Sequence, residues 1–226
     1  MRSDARSGMA RRALLRLGAG IPAFLGAGCG SLLPQPGQPP QLYVLRWSAA
    51  APADLPPIAQ QLLVGLPSAS AGLDTERIAL SRSPIGLDYF ANAAWTDHAP
   101  TMVQSVLVEA FEATGKVVGV ARDSGALRAD YLLMSELRRF EAVYEATSPA
   151  PTVTASLVLH LVRMPDRIII GEHASERTVG ASQNGTPEIV AAFAQASNDL
   201  AADAAAWTLR RIKADAATGG RRAPQS

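Results

Sequence analysis

The chain has 226 residues, with 21 Lys and Arg against 20 Asp and Glu and a formal net charge of +1. Residues 1 to 28 contain five Arg and one Asp, so the rest of the chain has 16 basic and 19 acidic residues and a net charge of −3. No Lys/Arg block stands in that part, which excludes the electrostatic footprint of a nucleic-acid-binding protein. About 170 residues between a proline-rich linker and the tail are enough for one domain with one core.

The first 28 residues have the order of an export signal. A basic stretch is followed by a weakly apolar run at 17–28 that ends in small residues; this is the n-region, h-region and cleavage-site order of a secretory signal. The run is too short to cross a bilayer as a helix. Residues 10–16 (ARRALLR) resemble a twin-arginine signal. Paired arginines also occur in other basic leaders, so both export routes stay open.

The only cysteine of the chain, Cys29, directly follows this signal. The segment 25–29 (LGAGC) resembles a bacterial lipobox, although Gly26 stands three places before the cysteine, where a typical lipobox has Leu. A single Cys in an exported chain has no internal disulfide partner. We therefore predict that Cys29 carries the lipid anchor, with acyl chains such as palmitate. The alternative is an ordinary thiol in a cleaved or disordered leader.

The composition divides the chain into four parts. Residues 1–28 are the predicted signal peptide, and residues 29–40 form a tether with four prolines that favours an extended chain. Residues 41–213 form the predicted domain, and residues 214–226 a disordered tail. No apolar run of about 20 residues follows the cysteine, so the lipid is the expected membrane contact.

Alternation of apolar and polar residues predicts most of the strands. The expected ranges are 41–47, 58–66, 75–81, 87–95, 117–122, 131–144, 152–161 and 167–178. The alternation changes phase within 131–144, which predicts a β-bulge near Arg138 and Arg139. Pro165 and Asp166 predict a tight turn between the last two strands. With paired residue numbers summing to 331, His160 and His173 would be diagonal neighbours on a solvent-facing side of this hairpin.

Two helices are predicted from spacing of three and four residues and from their ends. The first covers Ala99 to Thr114, with Thr96 or Asp97 as its N-cap, Pro100 in its first turn and Gly115 after its last turn. The second runs from Thr186 to about Lys213. Strands, helix, strands and helix in this order predict an α+β fold with a single domain, in which both helices pack on a mostly antiparallel sheet.

The residues give little support for catalysis or for a cofactor. The three histidines are His98, His160 and His173, and no further Cys is available to complete a zinc site. A solvated sheet face explains His160 and His173 better than a metal does. Neither a Gly-x-Ser-x-Gly motif nor a phosphate-binding glycine motif follows a strand. We therefore expect no catalytic residue, no metal, no cofactor and no enzymatic activity.

The segment 78–111 (IALSRSPIGLDYFANAAWTDHAPTMVQSVLVEAF) carries a family resemblance. It resembles the central part of the ABC-type transport auxiliary lipoproteins, the PqiC-like family, in which an Arg and a Tyr precede an aromatic residue, an acidic break and an amphipathic helix. Arg82, Tyr89 and Trp95 occupy these places. With the order of elements, the resemblance covers about residues 42 to 207.

The resemblance implies a periplasmic lipoprotein that assists an Mce/MlaD-type ABC transport system, which moves phospholipid or other hydrophobic molecules across the cell envelope. It implies a membrane contact through the lipid, an Mce/MlaD-type protein as partner, and homo-oligomerisation as an open question. Arg82, Tyr89 and Trp95 are then candidates for the docking surface, with a structural role as the alternative for each. Gly30 after the cysteine favours the outer membrane over the inner membrane.

Two other functions stay open from the sequence. One is a lipoprotein that assembles or stabilises an outer-membrane machine without a role in transport. The other is a lipid-binding lipoprotein, which requires a closed apolar pocket large enough for an acyl chain.

Overall fold

The computed structural model describes residues 39–123, 128–164 and 166–219. The predictions for the signal peptide, for Cys29 and for nearly all of the tether lie outside these residues and stay predictions. The same holds for Pro165 and for residues 220–226. The chain from Gln38 onward forms a compact unit of its own, and that unit is the subject of this section.

The described residues form nine strands and two helices. In chain order they are β1 (Gln41–Tyr43), β2 (Ile58–Val64), β3 (Ser68–Ala69), β4 (Arg77–Ser83), β5 (Gly86–Trp95), α1 (Ala99–Thr114), β6 (Val117–Arg122), β7 (Tyr131–Val143), β8 (Thr152–Arg163), β9 (Ile168–Gly180) and α2 (Thr186–Gly219). The α+β class, the single domain and the two helices are confirmed. The predicted strand 41–47 is shorter than expected, and β3 lies in a segment expected to be a loop.

All nine strands join one sheet in which β7 is the shared strand. Its pairing with β8, and that of β8 with β9, are long antiparallel ladders, so the sheet is mostly antiparallel as predicted. The other edge of β7 pairs in turn with β2, β3 and β4, each in a short parallel ladder. These parallel pairings were not predicted, because alternation along a strand does not specify its neighbour.

The predicted β-bulge in β7 is confirmed. The pairing of β7 with β8 shifts by one residue between Leu137 and Arg139. The extra residue lets Leu137 and Phe140 both face the core, where each is 1% exposed. The phase change in the sequence was therefore the signature of this bulge.

The predicted register of the β8–β9 hairpin is wrong for most of its length. A second irregularity lies between Leu161 and Val162, and beyond it His160 pairs with Glu172 while His173 pairs with Leu159. Directly paired residues share a face and successive residues alternate, so the two histidines lie on opposite faces of the sheet. The predicted diagonal pair of imidazoles does not form.

The bounds of α1 are confirmed and its N-cap is corrected. His98 occupies the N-cap position and makes no side-chain cap hydrogen bond, while Pro lies in the first turn and Gly115 has φ 59° beyond the last turn. Asp97 does not cap the helix because its Oδ1 accepts the neighbouring amide of His98 at 2.7 Å. Thr96 points its Oγ1 at the sulfur of Met102, 3.9 Å away.

The second helix continues to Gly219, past the predicted end at Lys213. The tail expected to be disordered from residue 214 is therefore helical up to Gly219. The reason is a pair of contacts made by Asp215, which accepts a hydrogen bond from Tyr131 at 2.9 Å and forms an ion pair with Arg163 at 2.9 Å. Sequence periodicity could not show these distant partners.

Both helices lie against the same face of the sheet. The long α2 contacts β7, β8 and β9, and α1 contacts α2, β2 and β6. Three aromatic side chains pack between the helix layer and the sheet. Phe193 of α2 lies 5.3 Å from Trp95 and 4.8 Å from Phe140, measured between ring centroids. All three are at most 1% exposed. Neither described helix contains an apolar stretch long enough to span a bilayer.

The segment after β1 is fastened to the helices rather than to the sheet. The buried Asn198 of α2 accepts the amide of Ser48 at 2.8 Å and donates to the carbonyl oxygen of Arg46 at 3.3 Å. Glu109 of α1 accepts the amide of Trp47 at 2.7 Å. Of these amides, that of Trp47 belongs to the predicted strand 41–47, and it is bound by a helix side chain instead of a neighbouring strand.

The strands of the sheet end at two opposite edges, which are named here by the turns that they carry. At one end, Tyr131 at the start of β7 pairs with Arg163 at the end of β8. We call this end of the sheet, which includes the turn between β8 and β9 and the last turns of α2, the β8–β9 end. Ser81 pairs with Val143 at the finish of β7, and this β4–β5 end carries the turn at 83–86. Because β1 runs parallel to β5, the chain enters the domain from the side of the β4–β5 end.

Asn198→Ala is expected to lower the free energy of unfolding by about 1–3 kcal/mol, because the backbone groups of Arg46 and Ser48 lose part-buried hydrogen bonds to this side chain. Urea unfolding measures this change, and amide exchange at Ser48 should accelerate more than exchange in β8. Gln195→Ala, at an exposed position one turn earlier in the same helix, is the matched control. Equal stability of the two variants would contradict the role given to Asn198.

Candidate functional site

A cleft of about 690 Å³ opens at the β4–β5 end. Its walls come from the β4–β5 turn and from the last residues of β7, and it includes Arg82, Ile85, Leu87, Arg139 and Tyr144. The side chain of Ile85 is 98% exposed at the tip of the turn, and that of Leu87 is 40% exposed. An apolar tip beside a cleft with charged walls is the arrangement expected of a protein-docking surface.

Arg82 lies in this cleft with weak partners. Its Nη1 is 3.9 Å from Asp88, and both side chains are about two-thirds exposed, so the ion pair contributes little to stability. Its guanidinium carbon lies 5.3 Å from the ring centroid of Tyr144. Burial raises the pKa of Tyr144, and the charge of Arg82 acts in the opposite direction. The position predicted for Arg82 is therefore compatible with docking.

Tyr89 has partners of its own and does not line the cleft. Its hydroxyl donates to the carbonyl oxygen of Gly72 at 3.0 Å, and Arg77 stacks over its ring at 3.7 Å. A Cβ at Gly72 would come within 2.8 Å of a methyl group of Leu87, so this glycine leaves room for the Leu87 side chain. These contacts give Tyr89 a structural role in holding the loop before β4.

Trp95 is a core residue, which corrects its prediction as part of a docking surface. It is 1% exposed and forms the aromatic cluster with Phe140 and Phe193. The structure thus brings only Arg82 of the three candidates to the cleft. Ile85 was not among the predicted site residues. Its place inside a Ser-Pro-Ile-Gly turn was an available signal, because an apolar side chain at a tight turn has no core to enter.

A second feature is a polar seam between β9 and α2. The carboxylate oxygen Oδ2 of Asp203 accepts a hydrogen bond from Ser175 at 2.6 Å and lies 3.0 Å from Nε2 of His173 and 3.2 Å from Arg177. Burial raises the pKa of Asp203, but the hydrogen bonds and charges of these partners outweigh it and hold the pKa below its ordinary value.

The seam continues along α2 with a period of four residues. Trp207 stacks on His173 with centroids 5.2 Å apart, Arg211 donates to the carbonyl oxygen of Ile170 at 2.6 Å, and Asp215 pairs with Arg163. Burial, followed by the hydrogen bond to Asp215, raises the pKa of Tyr131 to about 12. Four positions spaced by four lie on one face of a helix, so the seam fixes the C-terminal half of α2.

The seam has the residue types of a hydrolase triad without its connectivity. Ser175 donates to Asp203 rather than to His173, so the serine hydroxyl has no imidazole base beside it. Among the described residues, no group of three or more His, Cys, Asp and Glu side chains is arranged to hold a metal ion. The arrangement is one that stabilises a helix on a sheet.

Further clefts, besides the one at Arg82, open at the surface of the described residues. One of about 820 Å³ lies at the β8–β9 end between Ile168, Ile169 and the last turns of α2, and one of about 190 Å³ lies over β2 and β6. The aromatic cluster fills the space between β5, β7 and α2. These observations give no support to the lipid-binding alternative, which required an enclosed apolar pocket.

Comparison with known proteins agrees with this architecture. Protein XCC0632 from Xanthomonas campestris has a crystal structure with a TM-score of 0.73, 30% sequence identity, and coverage of 78% of this chain and 98% of its own. A crystal structure of an uncharacterized protein gives a TM-score of 0.56 at 16% identity, with coverage of 74% and 97%, and shows the fold alone. Protein bll6063 of Bradyrhizobium diazoefficiens is 28% identical over 173 residues, which are 74% of this chain and 46% of that protein. The chain thus spans less than half the length of this curated relative.

The fold and the predicted anchor define an α+β lipoprotein domain, and a family model makes the assignment specific. Residues 43–205 match the ABC-type transport auxiliary lipoprotein component, and the chain belongs to this family. The family is described as a lipoprotein component that is auxiliary to ABC-type transport, and a lipoprotein family indicates a location at the cell envelope. The family resemblance seen in the sequence is thereby confirmed.

Asp203→Asn is expected to lower the free energy of unfolding by about 1–3 kcal/mol near neutral pH, because three donors lose a charged acceptor. The folded-state pKa of Asp203 is lowered, so its stabilising contribution is present above the unfolded value and is lost as the pH falls through the folded value. The variant should therefore show a flatter decline in stability below about pH 4. Urea unfolding at several pH values measures this difference.

Asp199→Asn makes the same chemical change one turn earlier in α2 and is the control for this measurement. An unchanged pH dependence in Asp203→Asn, or an equal change in Asp199→Asn, would show that the seam does not stabilise the helix in the way described.

Proposed function

We propose that this protein is a periplasmic lipoprotein that assists an Mce/MlaD-type ABC transport system in moving phospholipid or other hydrophobic molecules across the cell envelope. Its anchor would be Cys29, with the outer membrane as the favoured site. The observation that carries this proposal is the family match over residues 43–205 in a chain whose only cysteine directly follows an export-type segment.

The way the chain enters the domain supports a positioning role. Asn198 and Glu109 hold the segment that follows β1, so a pull on the tether acts first on the pairing of β1 with β5 and then on these contacts with both helices. A tether of residues 29–40 reaches roughly 35 Å when extended. The domain would therefore be held near the membrane while its β4–β5 end stays accessible to a partner.

The cleft at the β4–β5 end is the docking surface that we propose for the Mce/MlaD-type partner. Ile85 would insert into an apolar depression of the partner, and Arg82 would pair with one of its carboxylates. An exposed apolar residue flanked by arginine is typical of an interface hot spot. The partner gains a defined orientation because the turn lies on two hydrogen-bonded strands.

We propose no catalytic activity for this chain. Ser175 and His173 of the seam each contact Asp203, and this supports a stabilising role for them. Hydrolysis of ATP would belong to another subunit of the transport system. Homo-oligomerisation of the lipoprotein remains a prediction from the family resemblance.

The double variant Arg82→Glu, Ile85→Asp is expected to lose co-purification with the Mce/MlaD-type subunit from solubilised envelopes, by about tenfold or more, because an apolar anchor and a charge are both reversed. Both side chains are exposed, so the free energy of unfolding should change by only about 0.5 kcal/mol. Quantitative mass spectrometry of the purified lipoprotein measures the partner.

The control is Arg138→Glu, which reverses an exposed arginine of the same sheet outside the cleft. If the double variant recovers as much of the partner as the wild-type protein does, the cleft is not part of the interface. Failure of the wild-type protein to recover any ABC transporter subunit would contradict the proposed function itself.

A further inference from the structure

The two ends of the domain differ in how their charges are compensated. At the β4–β5 end and along the sheet, Arg82, Arg138 and Arg139 each have a carboxylate within 4.0 Å. At the β8–β9 end, the exposed side chains of Arg167, Arg210 and Lys213 form no ion pair with any residue that the structure describes. Arg46 and Arg77, elsewhere on the domain, also form no ion pair among the described residues, but the β8–β9 end groups three such cations in a chain that is net negative after residue 28.

The acidic groups of this end are already engaged. Asp166 and Asp215 both bind the guanidinium of Arg163, at 2.9 Å each, and Asp130 accepts the amide of Gln61 at 2.8 Å. The pKa of Asp166 is lowered by this hydrogen bond to Arg163, which keeps the carboxylate ionised and paired. The free cations therefore face solvent without a nearby acidic partner of their own.

Exposed apolar side chains accompany these cations. Ile168 is 49% exposed and Ile169 is 60% exposed, and both line the 820 Å³ cleft together with Met164 and Arg211. Val118 of β6, at the same end of the sheet, is 72% exposed. Branched apolar side chains next to arginine and lysine are the composition of a surface that lies in the headgroup region of an anionic bilayer.

We propose that the β8–β9 end is a membrane-contacting surface that binds anionic phospholipid headgroups through Arg167, Arg210 and Lys213 and inserts Ile168 and Ile169 at the interface. Charge complementarity selects this occupant, because three cations without an ion pair among the described residues stand beside the apolar side chains of this end, whereas at the β4–β5 end Arg82 has the carboxylate of Asp88 3.9 Å away. The affinity needed is small, since a lipid anchor supplies a high local concentration. The contact would set the orientation of the tethered domain on its membrane, and it does not depend on the identity of the transporter.

The test uses the chain from residue 29 onward with Cys29→Ser, so that no acyl chain contributes. Co-sedimentation is measured with vesicles of phosphatidylglycerol and phosphatidylcholine mixed equally, and with vesicles of phosphatidylcholine alone. Binding is expected only to the anionic vesicles and should weaken as salt is added, because exposed charges are screened. Arg167→Glu with Arg210→Glu should lower the partition coefficient by about 25-fold or more.

The matched control is Arg46→Glu with Arg138→Glu, which changes the net charge by the same amount elsewhere on the domain. Ile168→Ser with Ile169→Ser should also reduce binding, with the salt dependence retained. The proposal is overturned if the protein with Cys29→Ser as its only change does not bind anionic vesicles. It is also overturned if the control variant loses binding as fully as the Arg167/Arg210 variant, or if this end binds only an acidic protein in envelope extracts. Circular dichroism of each variant verifies that the fold is intact.

Discussion

The strand β7 is the constraint on which the rest of the structure depends, because it alone pairs with both halves of the sheet. One edge forms the long ladder with β8, and the other takes β2, β3 and β4 in succession. Its bulge turns Phe140 into the core, where it meets Trp95 from β5 and Phe193 from α2. Aromatic pairs of this kind contribute about 0.5–1.5 kcal/mol beyond the area that they bury. Loss of the β7 pairings would separate the two halves of the sheet.

Much of the fold was readable from local patterns. The helix at Ala99–Thr114, the bulge near Arg138 and the β8–β9 hairpin all follow from periodicity and from turn residues, which act over short distances. The failures have two causes, which are contact between distant residues and a local irregularity of the hairpin. The pair of Asp215 with Arg163 extends α2, and an irregularity beside Leu161 shifts the register that separates His160 from His173.

The candidate site could be predicted only in part, for the same reason. Arg82 stands near a turn and could be expected at the surface. Trp95 closes a strand, and its burial depends on Phe193, which lies about one hundred residues further along the chain. Ile85 was passed over because an apolar residue is usually assigned to a core, although its neighbours Pro84 and Gly86 specify a turn. Aromatic residues of a family pattern therefore need a burial test before they are assigned to an interface.

The strands connect two ends with different chemistry. We propose that the β4–β5 end binds a transporter subunit and that the β8–β9 end contacts the membrane. The direct measurement is site-specific photo-crosslinking in living cells from a reactive residue placed at Ile85 or, separately, at Ile169. The account predicts a covalent adduct with a subunit of an ABC transport system from Ile85, and adducts with lipid from Ile169. Adducts of the same transporter subunit from both positions, or from Ile169 alone, would contradict it.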